Sequence, residues 1–166
     1  MIVVGIDPGT RHCGWGIVSA AGTRLTHVAH GVIDLDEKRS LSVRLGALEA
    51  QLSEVIRVHR PVEAGVEGLF FAKDPSAAAK LGHARGVVLL VLHRAAVEMH
   101  EYPPATVKRA IAGNGRADKP QVAMMVRAIL GLSEALRADA ADALAIAVTH
   151  VQSAPARRIA ALAAAR

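Results

Sequence analysis

The sequence contains one cysteine, four aromatic residues and no long apolar run. A lone Cys13 forms no internal disulfide, which excludes a disulfide scaffold and fits a reducing, cytoplasmic setting. Trp15, Phe70, Phe71 and Tyr102 are all the aromatics there are, so Ala, Val, Leu and Ile must build the core. Mean hydropathy is positive, at +0.30. Yet the longest aliphatic run, Val87–Leu92, falls far short of the ~20 residues that a spanning helix needs. No basic leader precedes Asp7, which interrupts the first apolar stretch, so no signal peptide is expected. No internal repeat and no linker is visible. Disorder, secretion and a membrane span are therefore unexpected.

What remains is one domain's worth of chain, 166 residues at 52% hydrophobic content. Its 33 alanines favour helix. Twenty Lys and Arg against fifteen Asp and Glu give a net charge of +5. That balance suits a polyanionic partner such as nucleic acid, although a generic basic protein has it too.

The apolar pattern predicts strands over 2–7, 14–19 and 24–33, with a Pro8-Gly9 turn after the first. On the third strand, simple alternation sets His27 and His30 on opposite faces. Residues 40–60 predict an amphipathic helix along Leu41, Leu45, Leu48, Leu52 and Val55, stopped by Pro61. A short strand over 62–67 follows, then a loop over 68–75 and a long helix over 76–99. The middle of that helix is apolar all round, so it should be covered on more than one face. A brief strand at 100–102 precedes helices over 105–112, 120–130 and 139–150. Residues 153–166 read as an Ala- and Arg-rich tail with a frayed end. Three antiparallel strands followed by alternating units predict an α/β fold, a mixed sheet with helices on both faces.

Four acids fall in unusual places. Asp7 and Glu67 each end an apolar strand, and Asp139 and Asp142 sit three apart on one helix. A charge at the end of a buried strand is costly unless paired or metal-bound. Each has an ordinary reading: Asp7 as a turn residue, Glu67 as a strand-end charge, Asp139 and Asp142 as helix-capping acids. Against the last, carboxylates at i and i+3 repel, and a divalent cation would turn that repulsion into binding. Four carboxylates drawn from three separate elements can hold two Mg²⁺ ions ~4 Å apart for phosphodiester hydrolysis. Neither the eight histidines nor Cys13 offers a competing cluster, and His150 lies too far along its helix to share an ion with Asp142.

These residues belong to a longer series. It comprises Gly5-Ile-Asp-Pro-Gly-Thr-Arg11 with Gly14-Trp-Gly16, then Val66-Glu67 with Phe70 and Ala72-Lys73, then Leu81-Gly-His-Ala-Arg-Gly86. Tyr102-Pro-Pro, Val107-Lys108, Lys119-Pro-Gln-Val122 and Ala138-Asp-Ala-Ala-Asp-Ala-Leu-Ala-Ile-Ala147 follow in order. In these motifs the chain resembles the RuvC family of Holliday junction resolvases, the crossover junction endodeoxyribonucleases. The resemblance covers 1–152 as a nuclease domain and leaves 153–166 unmatched.

The resemblance implies a ribonuclease H-like fold with a five-stranded mixed sheet. Asp7, Glu67, Asp139 and Asp142 fall on the family's metal-binding catalytic acids, which implies two Mg²⁺ per site, with Mn²⁺ as a substitute. It further implies a homodimer that nicks a four-way DNA junction symmetrically, leaving 5′-phosphate ends, in recombination and repair beside the RuvA–RuvB branch-migration complex. The apolar 87–92 segment would suit the dimer interface. Lys108 and Lys119 match lysines near the scissile phosphate, where they could balance developing charge or simply grip it. Phe70 matches an aromatic that stacks on a base; Phe71 follows it and is the alternative. Lys73, Lys80, Arg85, Arg109 and Arg116 are candidate DNA-backbone contacts.

Asp7-Pro-Gly-Thr10 also resembles the first phosphate loop of sugar-kinase and actin ATPases, but no second lobe or later phosphate loop accompanies it. A YqgF-type nuclease of ribosomal RNA processing is a nearer alternative, and the Asp-Ala-Ala-Asp-Ala block favours RuvC over it. A binder without catalysis is disfavoured, because acids facing phosphate gain it nothing.

Overall fold

The computed structural model describes residues 1–68 and 75–164. A five-stranded sheet in the order β3-β2-β1-β4-β5 carries helices on both faces, as the sequence predicted. Strands β1 (Ile2–Asp7), β2 (His12–Ala21) and β3 (Arg24–Asp34) form an antiparallel meander. Strands β4 (Glu63–Glu67) and β5 (Glu98–Tyr102) add parallel to β1. Parallel additions need crossovers, and α1 (Leu41–His59) and α2 (Pro75–Arg94) supply them on one face. The other face is covered by α3 (Pro104–Ala112), α4 (Lys119–Leu130) and α5 (Ala138–Ala164).

Strand alternation decides what each face receives. Val4 and Ile6 of β1, with Ala64 and Val66 of β4, pack under α1 and α2. Val3 and Gly5 face α5 instead, and Asp7 follows in the same phase. In β4 the α5 face is taken by Glu63, Gly65 and therefore Glu67. Helix α5 lies directly on β1: a Cβ on Gly5 would sit 2.0 Å from the carbonyl oxygen of Ala143. A Cβ on Gly14 would sit 2.0 Å from that of Asp139, so glycine is required at both positions.

Four expectations are corrected. Helix α2 ends at Arg94 and not at 99. Ala96 turns left-handed (φ 54°), and Ala96 N and Val97 N bond back to the carbonyls of His93 and Leu92. Those bonds terminate the helix, with alanine where glycine is customary. In α1 the deep positions are Leu48, Leu52 and Ile56, with Leu45 and Val55 half-buried against the same core, so the stripe includes Ile56, which the sequence pattern left out. On β3, Ala29 pairs with Ile17 and His27 with Val18, leaving Val28 as a one-residue bulge. The bulge resets the alternation, so His27 and His30 share a face, with Nε2 and Nδ1 2.8 Å apart. Finally, α5 continues past Pro155 to Ala164, where the helix was expected to end at 150.

The C-terminal half of α5 is tied down by polar contacts. Arg157 donates to Glu63 Oε2 (2.8 Å), to the Tyr102 hydroxyl (2.8 Å) and to the His150 carbonyl (2.5 Å). His150, fully buried, meets the same Glu63 oxygen at 2.6 Å and the Tyr102 hydroxyl at 3.1 Å. In α2 the apolar middle buries Val88, Val91 and Leu92 but leaves Leu90 44% exposed. The described residues therefore cover that helix on one side only.

Candidate active site

Asp7 and Glu67 end neighbouring parallel strands whose register aligns Ile6 with Val66. Their carboxyls come within hydrogen-bonding reach of each other. Both face α5, whose second turn brings Asp142 to them. Asp7, Glu67 and Asp142 line one cleft of about 250 Å³ together with Lys108, Lys119 and the apolar side chains of Val107, Val122 and Ile146. Asp139, one turn earlier on α5, stands at the edge of this group and adds its charge to that felt by Asp7. A larger groove of about 470 Å³ between the C-terminal ends of α1 and α2 contains no carboxylate and three arginines, Arg57, Arg60 and Arg94.

The electrostatics of the cleft follow from this crowding. Burial, then the charges of Glu67 and Asp142, push the Asp7 carboxyl well above the ordinary carboxylate range, and Lys119 offsets this only in part. Burial and Asp142 likewise raise Glu67. The buried Cys13 thiol behind Asp7 is pushed up to about 12, by burial first and then by Asp7. Such a site binds protons or a cation to relieve its charge.

Lys119 is the first residue of α4, capped by Asp118, which accepts from Gln121 N and whose own N–H is taken by the Gln121 side chain. A cation at a helix N-terminus is disfavoured by the helix dipole. Asp142 compensates: Lys119 Nζ donates to its Oδ2 at 2.7 Å. That bond also raises the lysine's affinity for its proton. Lys108, half-buried on α3, approaches from the same side and acts on Glu67.

The donor set suits a hard divalent cation, which prefers carboxylate oxygens. A doubly positive ion would reverse the penalty that now weighs on Asp7 and Glu67, and this is the sense in which the residues fit it. Among the described residues no three His, Cys, Asp or Glu side chains converge as a ready-made cage. The side chains instead rest against each other and against Lys119.

The other predicted contacts divide. Lys80, Arg109 and Arg116 are exposed. Phe70, Phe71 and Lys73 lie outside the described residues. Arg85 is corrected: it is 5% exposed, paired with Glu101, and donates to the Glu67 carbonyl at 2.5 Å. Its guanidinium supports the strand end that carries Glu67 and offers no free cation to a phosphate. The sequence reading missed the exposed trio His12, Asp34 and Arg137 at the start of α5. No spacing signal announces it, because Asp34 and Arg137 are 103 residues apart. The Asp118–Gln121 capping box was legible as a pattern and would have started α4 one residue earlier.

The chain is similar in sequence and fold to known proteins. A family model described as crossover junction endodeoxyribonuclease RuvC matches residues 3–150. A curated protein of that name from Sorangium cellulosum is 58% identical over 154 residues, 93% of this chain and 86% of its own. Another, from Beijerinckia indica, is 47% identical over 150 residues, 90% and 86% of the two chains. Among solved structures, Thermus thermophilus RuvC in complex with a Holliday junction substrate superposes with a TM-score of 0.87 at 42% identity, covering 93% of this chain and 94% of that one. The yeast mitochondrial Holliday junction resolvase Ydc2 shares the fold, with a TM-score of 0.63 at 17% identity over 89% of this chain and 76% of that one. The sheet is thus of the ribonuclease H-like type, and the chain belongs to the RuvC family of crossover junction endodeoxyribonucleases.

Proposed function

We propose that this protein resolves four-way DNA junctions by paired hydrolytic nicks, and that Asp7, Glu67, Asp139 and Asp142 hold two Mg²⁺ ions for the reaction, with Mn²⁺ able to replace them. The single observation that carries the reading is the convergence of Asp7, Glu67 and Asp142 with Lys108 and Lys119 in one cleft. The bound ions would supply Lewis-acid stabilisation and an activated water.

The chain's own residues have separable tasks. The strand ends fix Asp7 and Glu67 side by side, so their orientation is set by sheet register and costs no ordering during the reaction. Helix α5 adds Asp139 and Asp142 from the facing layer. The apolar walls of Val107, Val122 and Ile146 lower the local dielectric, which strengthens every charge interaction in the cleft. Lys108 and Lys119 would offset charge on the phosphate, Lys119 from its position beside Asp142. Phe70 or Phe71 stacks on a base near the crossover, and Lys73, Lys80, Arg109 and Arg116 grip backbone phosphates.

We assign the exposed side of α2, with Leu90 and the open positions Gly82 and Gly86, to a homodimer interface. A dimer would present two such clefts to opposed strands, and RuvA–RuvB is its expected partner complex in the cytoplasm. No described helix is long and apolar enough to cross a membrane.

The test is a labelled synthetic four-way junction with Mg²⁺, beside a linear duplex and the Asp7→Asn protein. Paired symmetric nicks in the junction alone, lost in the variant with binding retained, are expected. Full activity of Asp7→Asn would overturn the mechanism. Cleavage of structured RNA without junction cleavage would overturn the substrate.

A further inference from the structure

The start of α5 is held by a contact that its exposure does not explain. Arg137 donates two hydrogen bonds to Asp34, Nη1 to Oδ2 at 2.6 Å and Nη2 to Oδ1 at 2.7 Å. His12 Nδ1 meets the same Oδ1 at 2.7 Å, and sheet register pairs His12 with Asp34. Both Arg137 and Asp34 have about half their side-chain surface in solvent (54% and 55%). Pairs so exposed add little to stability. A bidentate fork between guanidinium and carboxylate does, however, fix direction.

Direction matters because of what lies next to Arg137. Its carbonyl accepts from Ala141 N at 2.9 Å, which fixes its backbone at the entry to α5. Asp139 is two residues on, in the helix's first turn. Asp34 and Asp139 are the two carboxylates whose charge acts on Arg137. With the backbone fixed, the side chain can satisfy one or the other. A guanidinium on Asp139 would occupy the oxygens that a divalent cation needs, just as Lys119 already occupies one oxygen of Asp142.

We propose that Asp34 is a positioning residue for the nuclease reaction: by forking Arg137, with His12 as its second donor, it keeps the guanidinium off Asp139. The inference rests on the reading of Asp139 as a cation ligand. It concerns no contact between Asp34 and DNA or ion, and it requires Asp34 to act through Arg137 alone.

The test compares Asp34→Ala, Asp34→Ala/Arg137→Ala and Asp139→Asn with the unmodified protein. Mg²⁺ binding is measured by calorimetry without DNA, and junction nicking across a Mg²⁺ series. Asp34→Ala is expected to weaken Mg²⁺ binding about three- to fivefold, the scale of one exposed ion pair, and to raise the Mg²⁺ needed for half-maximal nicking in proportion. The double variant is expected to recover most of both losses, because the misplaced guanidinium is gone. A merely structural role for the fork predicts the reverse, a double variant no better than the single. That result, or unchanged Mg²⁺ binding in Asp34→Ala, overturns the proposal, whatever happens to the melting temperature. Unchanged nicking and Mg²⁺ binding in Asp139→Asn would instead overturn the reading beneath it.

Discussion

Lys119 and Asp142 join α4 to α5 across the cleft by a 2.7 Å hydrogen bond, the one direct neutralisation of the acids among the described residues. It crosses from the first turn of one helix to the second turn of another, linking two walls of the cleft. Lys119→Ala should lower the single-turnover nicking rate by about a hundredfold, the scale of removing one donor from a charge-stabilising site, with junction affinity little changed. Quench-flow kinetics beside a binding titration separate the two effects. A fall confined to affinity would make Lys119 a phosphate grip only.

Gly5→Ala should be strongly destabilising. The added methyl would lie 2.0 Å from the Ala143 carbonyl oxygen and 2.9 Å from the Ala147 side chain. Helix α5 must then lift off β1, at a cost of about 3 kcal/mol for overpacking of this severity. Urea unfolding of the variant measures it. The helix that moves is the one carrying Asp139 and Asp142, so nicking should fall further than stability alone dictates.

His150 makes stability fall in mild acid. Burial holds its affinity for protons below the ordinary value of 6.5, although Glu63 opposes this. The stabilising neutral form is fully present above 6.5 and is lost as pH falls below it towards the depressed value. Glu63 works in a lower window: burial would raise it, but His150 and Arg157 hold it below 4.5. The raised Asp7 and Glu67 carboxyls act in the opposite sense over pH 8 to 5, gaining stability as they take up protons in the folded state. The His150 contribution is therefore read as a difference: the unfolding free energy of the unmodified protein relative to His150→Gln should decline as pH falls from 8 to 5. Burial and His30 depress His27 in the same direction, but His27 is common to both proteins and drops out of the difference.

Cys13 should be inert in the folded protein. Its thiol is buried and pushed up to about 12, so almost no thiolate exists at neutral pH. Titration with a chromogenic disulfide should give no signal under native conditions and one equivalent after denaturation. Rapid native labelling would contradict the burial of the β1–β2 end.

The two strand-end acids were legible because charge at the close of an apolar strand is a costly and therefore visible event. The helix pair Asp139 and Asp142 was legible for a different reason, the repulsion of two carboxylates at i and i+3 on one helix face. What the sequence hid depends on partners far along the chain or on backbone geometry without a marker residue. Ala96 takes a left-handed conformation with no glycine to flag it, so α2 read as too long. The Val28 bulge shifts register with no change in composition, which misplaced His27 against His30. Arg85 looked like a surface cation because nothing nearby in sequence reveals Glu101 or the Glu67 carbonyl as its partners. Residues 153–164 read as a tail beyond the last helix because their anchor is a single arginine whose partners, Glu63 and Tyr102, come from two earlier strands.

The same bulge bears on how copies of the chain can meet. β3 is an outer strand, and a regular outer strand invites another sheet to extend it. With Val28 out of step and two imidazoles bonded to each other beside it, the repeat of donors and acceptors along β3 is broken near its middle. A second molecule cannot continue the ladder there in register. Ribbon-like growth through β3 is thereby disfavoured, in keeping with the closed helix pairing proposed above, which would give two clefts at a fixed separation in place of an open-ended string of them.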